Sequence, residues 1–171
     1  MKKLIFLILP LVLVFSACTK DYIGDDSNVM LKKSVNAKPV ERPMYAWFSS
    51  TPDPEAPLMG GLPSSGWVSG HATHIGVVDQ ENSRWILTNI VPNWPMGQLT
   101  EYMSGTITGT NGDAFFYTSV MTVQMPAMTF SGTVTTTGGT GRFVGASGTV
   151  EMVGAVVDGI PSWTGVGTIT Y

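Results

Sequence analysis

The chain has little cysteine and little positive charge, and each shortage excludes a class of protein. Cys18 is the only cysteine among 171 residues, so no disulfide can form within the chain. Beyond residue 43 there is no lysine, and Arg84 and Arg142 are the only arginines. Nucleic-acid-binding surfaces rely on lysine and arginine to neutralise phosphates. The globular part of the chain is therefore not expected to bind nucleic acid.

Histidine is equally scarce, which limits metal chemistry. His71 and His74 are the only histidines, and an odd spacing on a strand places two side chains on opposite faces of the sheet. No further cysteine or histidine is present to complete a zinc-type ligand set. We therefore predict no metal site and no cofactor, and expect one histidine ring to be buried and hydrogen-bonded and the other exposed.

The first residues form a secretory signal. Lys2 and Lys3 precede an apolar run over residues 4–15, which is shorter than the roughly 20 residues that a transmembrane helix needs. The stretch VFSAC, which ends at Cys18, resembles the lipobox of bacterial lipoproteins. In that family a diacylglycerol is attached to the cysteine sulfur, the signal is removed before it, and the new N-terminus is acylated. The resemblance implies a signal peptide over residues 1–17 and lipidation at Cys18; the alternative is an ordinary signal followed by a free thiol.

Residues 18–42 are polar, mixed in charge and poor in aromatics, which predicts a flexible lipidated tether. Thr19 stands where an aspartate holds enterobacterial lipoproteins in the inner membrane. The run TKDYIGDD, residues 19–26, resembles the acidic stretch of Bacteroidota lipoproteins, in which such acids favour display on the cell surface. We predict that acyl chains such as palmitate at Cys18 attach the protein to the bacterial outer membrane. Whether it faces the periplasm or the cell surface stays open.

Residues 43–171 have the composition of an all-β domain. Glycine, threonine, valine and aromatic residues dominate, with turn signals at short intervals. Asn111-Gly112 and Asp158-Gly159 predict tight turns, the first of type I′. Closing antiparallel strands into a barrel removes unpaired edges, so we predict a single antiparallel β-barrel of about eight strands. The predicted strands lie near 44–50, 66–79, 82–90, 98–109, 114–124, 127–136, 142–153 and 162–171.

Alternation within these strands predicts which side chains face inward. In the last strand, Trp163, Gly165 and Ile169 share one face. In the seventh predicted strand, Val150 shares a face with Val144, Ala146 and Met152, opposite Phe143 and Glu151. The alternation therefore predicts strands with one buried face and one exposed face.

Four short motifs, in order along the chain, carry a second resemblance. They are GHATHIG (70–76), NGDAFFY (111–117), GGTGRFVGASG (138–148) and GTITY (167–171). They resemble bacterial proteins with an allene oxide cyclase-like or dirigent-like barrel. The resemblance implies an eight-stranded antiparallel barrel related to the calycins, with a central apolar cavity.

The resemblance implies no catalytic residue. Plant allene oxide cyclases use a glutamate and a bound water to cyclise a fatty-acid epoxide, and plant dirigent proteins orient phenoxy radicals. None of their active residues can be matched to a position in this chain. The resemblance therefore predicts a fold and leaves the activity open.

We do not expect the glycine-rich run 138–148 to bind phosphate. A Walker A loop requires a lysine, and the chain has none after Lys38. A dinucleotide-binding turn requires G-x-G-x-x-G before a helix, whereas Gly139 and Gly141 are followed by Gly145 and a predicted strand. The run is better explained as a hairpin.

Candidate ligand-cavity residues are few, and each has a structural alternative. Glu151 is either a solvated acid, which we favour, or a cavity acid. Arg142 pairs with Glu151 or a ligand carboxylate, or is a surface cation. His71 and His74 complete the candidates. The methionines and tryptophans either form the core or line an adaptable apolar pocket.

Three functions fit these observations. The first is a lipid-anchored envelope protein whose barrel is a binding or structural module, without chemistry. The alternative is a cyclase- or isomerase-like enzyme that acts on a small apolar lipid-derived substrate in the cavity. An adhesion or assembly module would instead present an aromatic patch around Trp94 and Trp67. A packed interior would argue against the enzyme, and an open cavity containing an acid would favour it.

Overall fold

The computed structural model describes residues 38–171. The predicted signal peptide, Cys18 and most of the predicted tether lie outside the described residues. Within the described range no helix is long and apolar enough to cross a bilayer. The strands are β1 (Glu41–Pro52), β2 (Leu58–Met59), β3 (Leu62–Pro63), β4 (Ser65–Ala72), β5 (Gly76–Val77), β6 (Arg84–Asn93), β7 (Gln98–Thr108), β8 (Ala114–Gln124), β9 (Thr129–Gly139), β10 (Ser147–Val157) and β11 (Ile160–Thr170).

Eight long antiparallel strands form a closed ring. Their order is β1-β11-β10-β9-β8-β7-β6-β4, and β4 pairs in turn with β1. The first strand thus makes two ladders, since Trp47 lies opposite both Thr164 and His71. The predicted all-β antiparallel barrel of about eight strands is confirmed.

The connections define two ends of the barrel. The loops that join β1 to β4, β6 to β7, β8 to β9 and β10 to β11 lie at one end, which we call the open end. The loops that join β4 to β6, β7 to β8 and β9 to β10 lie at the other, which we call the closed end. Successive strands run in opposite directions, so hairpins alternate between the two ends.

The closed end is filled by an apolar core. Phe143 is fully buried and Ile169 is 1% exposed. The Phe143 ring packs edge-on against Phe115 and Tyr171, with ring centroids 6.0 and 4.9 Å apart. Such edge-to-face packing is a favourable arrangement of aromatic rings, and it closes this end to solvent.

Inward-facing aromatic rings lie across glycines of the neighbouring strand. A Cβ atom on any of these glycines would fall within 2.5–2.7 Å of a ring atom, closer than atoms can approach. The rings can therefore lie flat against the wall instead of filling the centre. The pairs are Trp85 with Gly66, Tyr117 with Gly105, and Phe130 with Gly154.

Two predicted strands are wrong in their extent. The strand predicted over 66–79 stops at Ala72, because the chain turns there and His74 has a φ of 69°. The strand predicted from residue 142 begins at Ser147, because Gly141–Phe143 form a 3₁₀ turn. That turn directs Phe143 into the core, whereas the alternation predicted the outer face; Val150 and Met152 face inward as predicted.

The hairpin turns and the start of β1 can also be compared with the predictions made from the sequence. Asp158 and Gly159, at φ 53° and 79°, confirm the predicted turn. At Asn111-Gly112 the type I′ prediction is wrong, because only Gly112 has a positive φ, and its N–H donates to the Gly109 carbonyl at 2.8 Å. This is a longer loop that ends in a left-handed glycine. Residues 41–42, predicted as tether, belong to β1.

Candidate ligand cavity

A cavity of about 330 Å³ lies inside the barrel, lined by inward-facing residues along most of the length of the strands. Ile107 and Phe115 lie at its inner end, next to the packed core. Leu62, Pro63 and Met125 line it at the open end. The volume lies in the lower part of the range of small-molecule pockets, about 300–1,000 Å³.

The walls are predominantly apolar. Of the two roles that the sequence left open for methionine and tryptophan, lining a pocket is the one that many of them adopt. Methionine is unbranched and polarisable, so such a wall adapts to ligands of different shape. The methionines and tryptophans that line it are Met44, Met103, Met121, Met125, Met128, Met152, Trp85 and Trp163.

Glu101 is the ionisable carboxyl group in this apolar wall. It lies on β7, on the inward face that it shares with Leu99 and Met103, and its cross-strand neighbours are Ile90 and Met121. Among residues 38–171 nothing donates a hydrogen bond to its carboxylate or pairs with it. Burial raises the pKa of Glu101, because an apolar environment disfavours the charged form.

The other polar groups of the wall are neutral. Ser50, Ser119 and Thr136 contribute hydroxyl groups. Burial raises the pKa of the Tyr117 phenol, which therefore keeps its proton under ordinary conditions. The buried indole Nε1 of Trp85 has no hydrogen-bond partner in the described part of the chain. It lies close to Gly66, so it faces the wall and not the cavity.

Glu151, predicted as solvated or as a cavity acid, lies on the outer face of β10. The side chains before and after it, Val150 and Met152, face the cavity. Thr133 Oγ1 donates to the two Glu151 carboxylate oxygens at 3.0 and 3.1 Å. The favoured expectation of an exposed acid agrees with this position.

Arg142 and the two histidines also lie away from the cavity. The Arg142 Nε donates a hydrogen bond to the Asp113 carboxylate at 2.8 Å. His71 stacks on Trp47 outside the barrel, with ring centroids 4.6 Å apart. His74 lies in the turn after β4, where its Nε2 is 3.0 Å from the Pro43 carbonyl. Neither histidine is buried, so that expectation is wrong.

The described residues contain no cluster of three or more histidine, cysteine, aspartate or glutamate side chains that could hold a metal ion. The polar groups of the cavity are instead suited to hydrogen bonding with an organic molecule.

Comparisons with protein-family models, with curated proteins and with solved structures found no match.

Sequence reasoning missed Glu101, although a signal for it was present. The alternation Leu99, Glu101, Met103, Gly105, Ile107 puts a carboxyl group at an inward position of a predicted strand. A charged residue in phase with the buried positions of a strand is unusual, because charged residues are rarely buried without a partner. The inward position of Glu101 in this alternation was therefore the signal in the sequence that pointed to it.

Proposed function

We propose that the barrel binds a small, mostly apolar molecule, and that a lipid anchor at Cys18 holds the barrel at the bacterial envelope. The observation that carries the proposal is the cavity of about 330 Å³ with apolar walls and one unpaired carboxyl group. Ligand pockets have this composition, a hydrophobic wall with a few placed polar groups. A barrel of this size without a ligand would be expected to fill its interior with side chains.

Glu101 limits the chemistry of the ligand. An ionised carboxylate there would be stabilised by a donor, and a protonated one would itself donate to a hydroxyl or carbonyl group. A second carboxylate beside it would be unfavourable in an apolar environment. The proposed ligand is therefore neutral or cationic, with an apolar body and one hydrogen-bonding group.

The anchor is supported by the lipobox-like stretch that ends at Cys18, and the resemblance to allene oxide cyclase-like and dirigent-like barrels agrees with a binding cavity. Labelled palmitate fed to cells should be incorporated into the chain. A Cys18→Ala chain that still incorporates the label would contradict the anchor.

A cavity-filling substitution tests ligand binding. Ser119 is buried and faces the cavity, so Ser119→Phe should fill part of it. Thr118→Phe adds the same ring at the exposed neighbouring position and is the matched control. In detergent-free buffer, the full chain with Cys18→Ser should bind the neutral probe N-phenyl-1-naphthylamine with a rise in its fluorescence, and adding Ser119→Phe should abolish this signal.

Two results would contradict the binding function. One is probe binding that Ser119→Phe leaves unchanged, which would place the probe elsewhere. The other is a wild-type chain that neither binds the probe nor retains any small molecule in native mass spectrometry.

Catalysis is a second candidate, and Glu101 is the observation that favours it. A carboxyl group whose pKa is raised by burial keeps its proton to a higher pH than an ordinary glutamate, which suits it to general acid catalysis. In a cyclase or isomerase, the Glu101 carboxyl group would transfer a proton from one position of the substrate to another, so that substrate and product have the same atoms. The apolar wall would keep water away from the reacting centre.

The catalytic candidate can be tested with the methyl ester of an unsaturated fatty-acid epoxide, which carries no charge to oppose Glu101. Wild-type protein should convert it to an isomer of the same mass, and Glu101→Gln should not. Glu151→Gln, on the outer face, is the matched control and should remain active. Conversion by Glu101→Gln at the wild-type rate would exclude this role.

A further inference from the structure

The open end of the barrel carries a ring of exposed apolar side chains, which we call the rim. It is formed by four separate connections, the loops after β1, β6, β8 and β10. Trp94 is 70% exposed and Met96 is 64% exposed, both in the tip between β6 and β7. The rim residues are Leu58, Val91, Trp94, Met96, Met125, Val157 and Ile160.

The rim surrounds the open end of the cavity. Met125 belongs to both, since it is exposed and also lines the cavity. Leu62 and Pro63, in the hairpin that carries Leu58, also line the cavity. The exposed apolar surface and the apolar interior are therefore continuous at this end.

The charge of the rim loops is low and has one sign. The stretches 52–65, 91–98, 124–129 and 157–160 contain no lysine or arginine. Their acids are Asp53, Glu55 and Asp158, and Asp53 is paired with Arg84 of β6 at 2.7 Å. Such a surface offers no electrostatic attraction to an anionic partner.

We propose that the rim docks onto an uncharged lipid surface, with the mouth of the cavity facing the acyl chains. Exposed apolar and tryptophan side chains insert at the boundary between headgroups and acyl chains. Four separate apolar tips around an opening suit a deformable apolar phase, because such a phase can adapt to each tip. A ligand could then pass from the bilayer into the cavity without crossing water. That last step rests on the proposed ligand binding, whereas docking of the rim does not.

The test compares two positions of equal exposure at opposite ends of the barrel. Met96 on the rim and Val144 at the closed end are both 64% exposed. In the full chain with Cys18→Ser, Met96→Cys or Val144→Cys would carry the environment-sensitive fluorophore NBD. Mixed with phosphatidylcholine vesicles that contain nitroxide-labelled lipid, the label at 96 should shift to the blue and be quenched. The label at 144 should do neither.

The comparison is independent of membrane binding by the N-terminal segment, which both chains share. Equal quenching at the two positions, or a label at 96 that stays in water, would overturn the proposal. So would a blue shift at 96 without vesicles, because a second copy or another protein surface would then cover the rim.

Two further measurements separate docking from its alternatives. Docking without basic groups should persist at high salt, because screening weakens attraction between charges only; release by salt would overturn it. Trp94→Asp should reduce quenching at 96, and unchanged quenching in that variant would argue against the rim. Probe binding in the absence of vesicles reports the cavity alone, so failure of docking and failure of the proposed function give different results.

Discussion

Glu101 occupies an unusual position for a carboxyl group, facing an apolar cavity with no partner among the described residues. Its pKa lies above the ordinary value of 4.5 because burial disfavours the charged form. Between 4.5 and this raised pKa the folded protein holds more protons than the unfolded protein. The free energy of unfolding therefore falls as the pH rises through this window and stays lower above it.

Glu101→Gln removes this ionisation. The variant should match wild type most closely below pH 4.5 and become more stable relative to it as the pH rises to neutral. Urea denaturation over this pH range measures the difference. A gap between Glu101→Gln and wild type that is constant with pH would show that the carboxyl group is not desolvated.

Trp85 shows a different cost at the scale of a residue, because its buried indole N–H has no partner. An unsatisfied buried donor costs about 1–3 kcal/mol. Trp85→Phe removes the donor and keeps a ring over Gly66, so its free energy of unfolding should lie within about 1 kcal/mol of wild type. Trp85→Ala should lose about 3–5 kcal/mol. Chemical denaturation of both variants distinguishes the donor from the ring, and equal losses would show that the indole nitrogen has a partner.

At the scale of an element, the connection between β9 and β10 is more than a turn. Gly141 has a φ of 55°, and a Cβ there would collide with the Asp113 side chain. Asp113, in the loop between β7 and β8, also accepts a hydrogen bond from the Nε of Arg142, the residue after Gly141. The glycine run thus brings two hairpins of the closed end together and directs Phe143 into the core.

Phe143→Ala should therefore be severely destabilising, by about 3–5 kcal/mol. Val144→Ala, at the exposed next position, should change stability by less than about 0.5 kcal/mol. Thermal or urea unfolding measures both. If a continuous strand ran through these residues as the alternation suggested, the two costs would be reversed.

At the scale of the whole molecule, the cavity exists because β1 pairs with both β11 and β4. A ligand that binds only the closed ring stabilises it by mass action, by about 2.7 kcal/mol at a ligand concentration of 100 times Kd. Wild-type Tm should therefore rise with the concentration of N-phenyl-1-naphthylamine. In Ser119→Phe, Tm should not respond, while Thr118→Phe should behave as wild type. A rise of equal size in Ser119→Phe would mean that the barrel interior is not the binding site.

The sequence by itself determined the strand content, the antiparallel arrangement and much of the inward-facing pattern. These follow from local properties, because side chains alternate along a strand and glycine, asparagine and proline favour turns. The inward positions of Val150 and Ile169 were therefore predictable. The lipobox-like stretch at Cys18 lies outside the described residues and stays a prediction.

Tertiary structure alone decided where the site lies. Alternation assigns a side chain to a face, but only ring closure makes one face the wall of a cavity and gathers Glu101, Tyr117 and Ser119 there. It also left Glu151 outside, and it turned Phe143 inward through a loop whose geometry depends on Asp113 from another hairpin. Local pattern reports which residues share a face, whereas the cavity depends on contacts between strands that are distant in sequence.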